Sequence, residues 1–200
     1  MKTKFFIGCL VSLISYTSLA QDFSVVGPQM EVTIDGQIYK VQSAKILLLI
    51  HNSSNVKSKQ PLVWNDGTEL TEDEYLSLQL GDLDVSTMYQ AIRETFSEEE
   101  FNQLKAGKDR IEVGFQVSPE GKVLEVNWYI RLTPRTLALF PARVKLFEDN
   151  IKKYVTYTPG VDANRLPSWR SFHQINFGDL GFLYIDKTRP DPYFEGEAIE

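Results

Sequence analysis

The sequence predicts an α+β fold, an antiparallel sheet with an amphipathic helix packed on it, and two patterns carry that prediction. Every second residue is apolar in Ile111, Val113, Phe115 and Val117, and again in Leu124, Val126, Trp128, Ile130 and Leu132. That is the period of a strand with one buried face. Val144, Phe147, Ile151 and Tyr154 recur at spacings of three and four, with Lys145, Glu148, Asp149, Lys152 and Lys153 between them. That is the period of a helix lying on such a sheet. A chain of 200 residues, 42% apolar and 24% charged, is long enough to bury a core between these layers.

The first segment stands apart from the fold. Met1 to Lys4 carries two lysines, Phe5 to Ala20 is uncharged and mostly apolar, and Ser18, Leu19 and Ala20 precede Gln21. This is the three-part pattern of a secretory signal peptide, so residues 1–20 are expected to be cleaved after Ala20 and the chain exported to the periplasm or cell envelope. An uncleaved anchor is one alternative, although a bilayer needs about 20 apolar residues. A lipoprotein cut ahead of Cys9 is another, with only a short apolar run before it. Cys9 is the one cysteine, which excludes a disulfide framework and a cysteine-based zinc site.

Residues 21–85 read as β-rich. Met30 to Ile34 and Ile38 to Val41 flank Asp35-Gly36, a two-residue hairpin signal. Ala44 to Ile50 fits a buried strand, with a short helix as the alternative, and His51 opens a polar loop to Gln60. Leu62 to Trp64 precedes a turn at Asp66-Gly67. Thr71 and Glu74 have the spacing of a capping box that starts a brief helix.

Residues 86–185 contain the helices and the hairpin. Met88, Ile92 and Phe96 mark one helix face from Ser86 on. Ser97 and Glu100 repeat the capping-box spacing, and Phe101 and Leu104 continue an apolar face to Gly107, a natural stop. The alternating strands turn at Ser118-Pro119-Glu120-Gly121, and Pro134 ends the second. Pro141 then suits the first position of the amphipathic helix. Pro159-Gly160 to Pro167 is a loop, Trp169 to Phe177 a strand, and Gly181 to Ile185 a further strand candidate. Residues 186–200, with two prolines and five acidic side chains, form an acidic tail. No composition break decides whether residues 21–85 are a separate domain or complete the same sheet.

The succession of two hairpin strands, a crossing helix and a returning strand resembles the carboxy-terminal domain of the TonB family. Val113 to Val117 with Pro119, Glu120, Gly121, Lys122 and Val123 match its strand, turn and return strand; Tyr157 and Pro159 match the aromatic and proline after its helix, and Trp169 to Phe177 its last strand. Arg131 to Phe140 departs from the small-residue segment of that family, and the Pro-rich spacer is missing. The resemblance therefore implies a ββαβ fold and strand addition at a sheet edge, without energy transduction. The leader and the extra β-rich half also resemble small secreted proteins of gut Bacteroidetes.

Charge and motif spacing exclude much chemistry. A net charge of −6 disfavours sequence-independent binding to nucleic acid, and cleavage of the leader would remove two of the 21 basic residues and none of the 27 acidic ones. Seven acidic residues and no lysine or arginine lie between Gln60 and Ile92. Asp66, Glu69, Glu72, Asp73 and Glu74 are the acidic surface to test for a cation or basic partner, beside the alternative of a solvated turn and helix start. An EF-hand register fails, since Gly67 at its sixth position puts Leu62 and Trp64 at ligand positions. His51 and His173 are the two neutral bases, and neither belongs to a helical metal motif. Ser54 and Lys57 match S-x-x-K without its companion motifs, and Asn52-Ser53-Ser54 is a glycosylation sequon only in a eukaryote.

No catalytic residue, metal or cofactor is assigned from the sequence. Its expected use is non-catalytic: a binding or scaffold protein whose partner is an envelope protein or peptide, held along Trp169, Ser171, His173, Ile175 and Phe177 if that strand forms an edge. The alternative is an envelope hydrolase or carbohydrate-binding module using Trp64, Tyr75, Tyr193 and Phe194. No transmembrane helix is expected after signal cleavage, and the oligomeric state is open.

Overall fold

The computed structural model describes residues 30–44 and 47–179; the leader, Gly181 to Ile185 and the acidic tail lie outside the described residues. β1 (Met30–Ile34) and β2 (Gln37–Ala44) form the first hairpin. Asp35 and Gly36 both take positive φ, 47° and 77°, the pair of left-handed positions that a type I′ turn requires. β3 (Leu47–Asn52) returns along β2. The apolar run expected as one strand is thus divided, since Ala44 closes β2 and pairs with Leu47. Nothing in Ala44 to Ile50 signals that reversal, because the run holds no Gly, Pro, Asn or Asp. His51, expected to open a loop, is in β3, where pairing with Asn127 carries the strand past the apolar run.

β5 (Arg110–Val117) and β6 (Val123–Arg131) are the predicted central hairpin. Gly121 in its turn has φ of 83°, and a Cβ there would lie 2.2 Å from the carbonyl oxygen of Tyr157, so both turn and packing require glycine. β8 (Trp169–Asn176) pairs with β5, and β3 pairs with β6. The result is one antiparallel sheet in the order β1-β2-β3-β6-β5-β8, with the strands of the first half continuing that of the second.

The helices follow their caps. Thr71 and Glu74 close a capping box on α1 (Glu72–Leu76), Asp84 caps α2 (Val85–Thr95), and Ser97 with Glu100 boxes α3 (Glu98–Ala106). α4 (Pro134–Tyr154) starts a full turn and more before Pro141, a correction to the predicted boundary. Thr133 and Thr136 make a capping box there, with Pro134 in the first turn, so the earlier proline serves where its missing N–H has no ladder partner to lose. β4 (Gly81–Leu83) and β7 (Tyr157–Pro159) form a separate two-stranded ribbon beside the helices.

Helices cover one face of the sheet. Val113, Phe115, Val126, Trp128, Leu48 and Ile50 are buried beneath Phe96, Phe140, Phe147 and Ile151. Trp128 lies 4.9 Å from Phe147 between ring centres, and Phe96 meets Phe147 edge-on at 5.2 Å and Phe140 at 5.7 Å. Glu148 sits 1% exposed in this layer, accepting from the Tyr39 hydroxyl at 2.8 Å, the Asn52 amide at 3.2 Å and Lys152 at 2.5 Å. It joins α4 to β2 and β3. Asn52, the first residue of the sequon, is therefore buried and bonded rather than presented for modification.

Candidate functional site

β8 ends the sheet among the described residues, and its residue parity decides which groups it offers. The Phe177 N–H donates to the Asp109 carbonyl at 3.1 Å, continuing the β5–β8 register. Opposed residues in an antiparallel pair alternate between bonded and non-bonded, so Trp169, Ser171, His173 and Ile175 bond to β5. Arg170, Phe172, Gln174 and Asn176 turn their backbone N–H and C=O outward.

The side chains follow the same parity. Trp169, Ile175 and Phe177 are at most 3% exposed, and Phe177 packs edge-on against Phe96 at 5.8 Å. Ser171 and His173 are half-buried on the same covered face. The five residues expected to bind a peptide thus point their side chains into the core, and the opposite parity, Arg170, Phe172 and Gln174, faces solvent. The signal was in the sequence, because a strand whose odd positions are Trp, Ile and Phe buries those positions.

Both ends of the outward edge are engaged. The Tyr75 hydroxyl of α1 accepts from the Arg170 N–H at 2.5 Å and donates to the Arg170 carbonyl at 2.8 Å, occupying one outward position as a neighbouring strand would. At the other end the Asp179 N–H donates to the Asn176 carbonyl at 3.1 Å, and the side chains of Asn176 and Asp179 are joined. Between them, the outward backbone groups of Phe172 and Gln174 have no hydrogen-bond partner among the described residues.

The open face runs inward from this edge in rows fixed by register. Phe172 neighbours Gly114, then Asn127, then His51; Gln174 neighbours Glu112, Tyr129 and Leu49; Asn176 neighbours Arg110, which lines one groove with Arg131 and Leu47. Gly114 leaves room for the rings of Phe172 and Tyr129 to meet above it, 5.2 Å between centres. Phe172 remains 56% exposed. A groove of about 340 Å³ beside these rings is lined by Tyr75, Gln116, Asn127 and Arg170 as well. Nearby, burial would raise the Glu125 carboxyl, but N–H groups of Lys57, Ser58 and Val56 hold it below its ordinary 4.5. That carboxylate fastens the loop whose Ser58 and Gln60 carbonyls receive Arg170.

The two histidines are on opposite faces. His51 lies on the open face and His173 on the covered one, three strand spacings apart, roughly 14 Å. A histidine dyad is therefore not assembled. His173 Nε2 is 2.7 Å from the Tyr157 hydroxyl and 2.8 Å from Ser171 Oγ. Burial holds His173 below its ordinary 6.5 and raises Tyr157 above its ordinary 10.0, so both groups are neutral near pH 7. His51 is lowered by burial and then by Lys59 and Lys40.

The acidic stretch is largely engaged in local turns. Asp66 accepts from the Thr68 N–H at 2.9 Å, Glu74 completes the α1 capping box, and Glu72 and Asp73 occupy that helix's first turn, with Glu69 in a short bridge to Val63. Among the described residues no three acidic, histidine or cysteine groups converge on a metal position. Trp64 carries the Arg165 guanidinium 4.4 Å above its ring, so its own chain occupies that platform. Tyr193 and Phe194 lie outside the described residues. Ser54 Oγ donates to Asn52 at 2.7 Å and Lys57 lies in a 3-10 turn (Lys57–Lys59), away from any helical serine–lysine arrangement. No described helix is long and apolar enough to cross a membrane.

No protein-family model matches the chain, and no curated protein does. Among solved structures, a crystal structure of a DUF5043 family protein from Bacteroides uniformis is similar in fold, with 16% identity over 74% of this chain and 85% of that one and a TM-score of 0.59. The TonB likeness of the second half rests on sequence pattern alone.

Proposed function

We propose that this chain is an exported cell-envelope protein that performs no chemistry and binds an extended peptide by adding it as a strand beside β8. The observation that carries this reading is the outward backbone of Phe172 and Gln174, which has no partner among the described residues. Such an edge pairs readily with another chain, and natural proteins that leave one in place either protect it or use it. The TonB-like order of the second half supports strand addition, and the lysine-primed leader supports export. The position of the two histidines removes one route to hydrolysis.

Two measurements test it. Edman sequencing of the protein from a cell-envelope fraction is expected to begin at Gln21; recovery of intact Met1 from the cytosol would remove the export half. Hydrogen exchange on the purified chain, with and without a library of short extended peptides, is expected to show the amides of Phe172 and Gln174 becoming protected. If no peptide slows their exchange, the edge is not a binding site.

A further inference from the structure

The open face of the sheet holds another groove, of about 320 Å³, lined by Leu47, Arg110, Glu112, Tyr129, Arg131 and Gln174. That volume is at the small end of the range for ligand sites. Arg110 comes one residue before Ile111 and Arg131 one residue after Ile130, and these isoleucines pair across β5 and β6, so two exposed like charges stand at the same end of neighbouring strands. Like charges side by side on a sheet weaken it. Neither guanidinium has an ion-pair partner among the described residues, and Asp179, whose side chain is joined to Asn176 beside Arg110, pairs with neither. Glu112 lies two residues from Arg110 on the same strand face. The Gln174 amide reaches one of its carboxylate oxygens at 3.5 Å, and the other has no hydrogen-bond partner among the described residues. Leu47, opposite Arg131, and the Tyr129 ring supply an apolar wall.

From this set of groups we infer that the groove binds a free α-amino acid with an apolar side chain, of the size of leucine. Its carboxylate meets the two guanidiniums, whose planar forks match a carboxylate in shape and charge. Its ammonium meets the unpartnered oxygen of Glu112, and its side chain lies on Leu47 and Tyr129. Same-face rows two residues apart on a strand are separated by about 7 Å, so the two poles of the ligand fit between the Arg110 and Glu112 rows. Charge does the selecting. A dicarboxylate turns its second charge on Glu112, a simple amine is repelled by both arginines, and an uncharged apolar molecule leaves both signs unpaired. A concave place where a local rule of sheet building is broken without compensation is where function is expected. The occupant uses side chains on the face, whereas strand addition uses the outward backbone of β8, so this inference goes beyond strand addition and does not rest on it.

The test is isothermal titration calorimetry of the purified chain with L-leucine, leucinamide, which lacks the carboxylate, N-acetyl-leucine, which lacks the ammonium, and glycine, which lacks the side chain. Leucine is expected to bind at least roughly tenfold tighter than each of the other three. Arg131→Gln should remove the advantage of leucine over leucinamide, and Glu112→Gln its advantage over N-acetyl-leucine, with both variants keeping the wild-type unfolding midpoint. If leucine gives no binding at millimolar concentration, or if all four ligands bind alike, the inference is overturned on the wild-type chain alone. N-acetyl-leucine binding as tightly as leucine would make the groove an anion site and overturn the zwitterion. Leucine affinity unchanged in both variants would place the site elsewhere and overturn it equally. Strand addition is read separately, by peptide protection of the Phe172 and Gln174 amides, so either idea can fail while the other stands.

Discussion

The two faces of the sheet are built from alternate residues of the same strands, yet they differ in what holds them. On the covered face Trp128, Val113 and Phe115 are at most 2% exposed, and Glu148 is held there by Tyr39, Asn52 and Lys152, while the indole N–H groups of Trp128 and Trp169 are buried without a partner among the described residues. On the open face Tyr129 and Phe172 meet at a tilt with no layer above them among the described residues, and arginines stand beside them without carboxylate partners among those residues. The first face has been given the contacts that make a fold; the second has been left with contacts to offer. Since each strand contributes to both, a change at one position tests one face and spares the other.

The largest contrast is expected from a buried aromatic. Phe147 is fully buried between Phe96 and Trp128, and Phe147→Ala should cost about 3–5 kcal/mol in urea unfolding through lost burial and a residual cavity. A loss below about 1 kcal/mol would mean that the helix layer is not packed on the sheet as described. Next comes the polar anchor. Glu148→Ala strands the Tyr39 hydroxyl and the Asn52 amide, each buried, and should cost about 1–3 kcal/mol per group left unsatisfied. Glu148→Gln, which keeps an acceptor, should recover part of it in the same assay.

The covered face was the legible one. Period-two alternation named both central strands, spacings of three and four named the helix that crosses them, and three-residue spacing named the Thr71 and Ser97 capping boxes, because these signals are local. Two features escaped because they are set by partners distant in sequence: the split of Ala44 to Ile50 depends on β6, and the engagement of Arg170 on Tyr75 from a helix 95 positions earlier. The start of α4 is local, a capping box of Thr133 and Thr136 in place of the Glu or Gln that signals one at the third position. The site was half legible: Trp169 to Phe177 was placed as a strand, but the chosen residues, Trp169, Ser171, His173, Ile175 and Phe177, are those of the covered face. Reading the complementary parity would have selected Arg170, Phe172 and Gln174.

Acid should separate the faces more gently. His173 and His51 are both held below their ordinary 6.5, so the unfolded chain binds protons first as pH falls. Stability is then fully present above 6.5 and declines below it as protonation favours the unfolded state. On the covered face protonation also takes the Nε2 lone pair away from the Tyr157 and Ser171 hydroxyls. His173→Gln is therefore expected to flatten the decline in unfolding midpoint between pH 7 and 5 more than His51→Gln, whose site carries no comparable pair of hydroxyls. An equal effect of the two variants would show that the Tyr157–His173–Ser171 contacts contribute nothing to the pH dependence.

The smallest stability effect belongs to the residue on which recognition depends most. Phe172 is 56% exposed and, among the described residues, touches Tyr129 alone as a ring partner, so Phe172→Ala should shift unfolding by about 0.5 kcal/mol or less. Its paired comparison is Ile175→Ala on the same strand, 3% exposed and facing the helices, which should cost about 2–5 kcal/mol. The two positions are three residues apart and share one backbone ladder with β5, so a difference between them isolates the face and not the strand. If Phe172→Ala destabilised the chain as much as Ile175→Ala, the open face would be part of the folding core and its exposed rings would need a covering layer to explain them. If it left stability untouched while removing peptide protection of its own amide, the division would hold within a single strand: odd positions of β8 keep the fold, and even positions meet the partner.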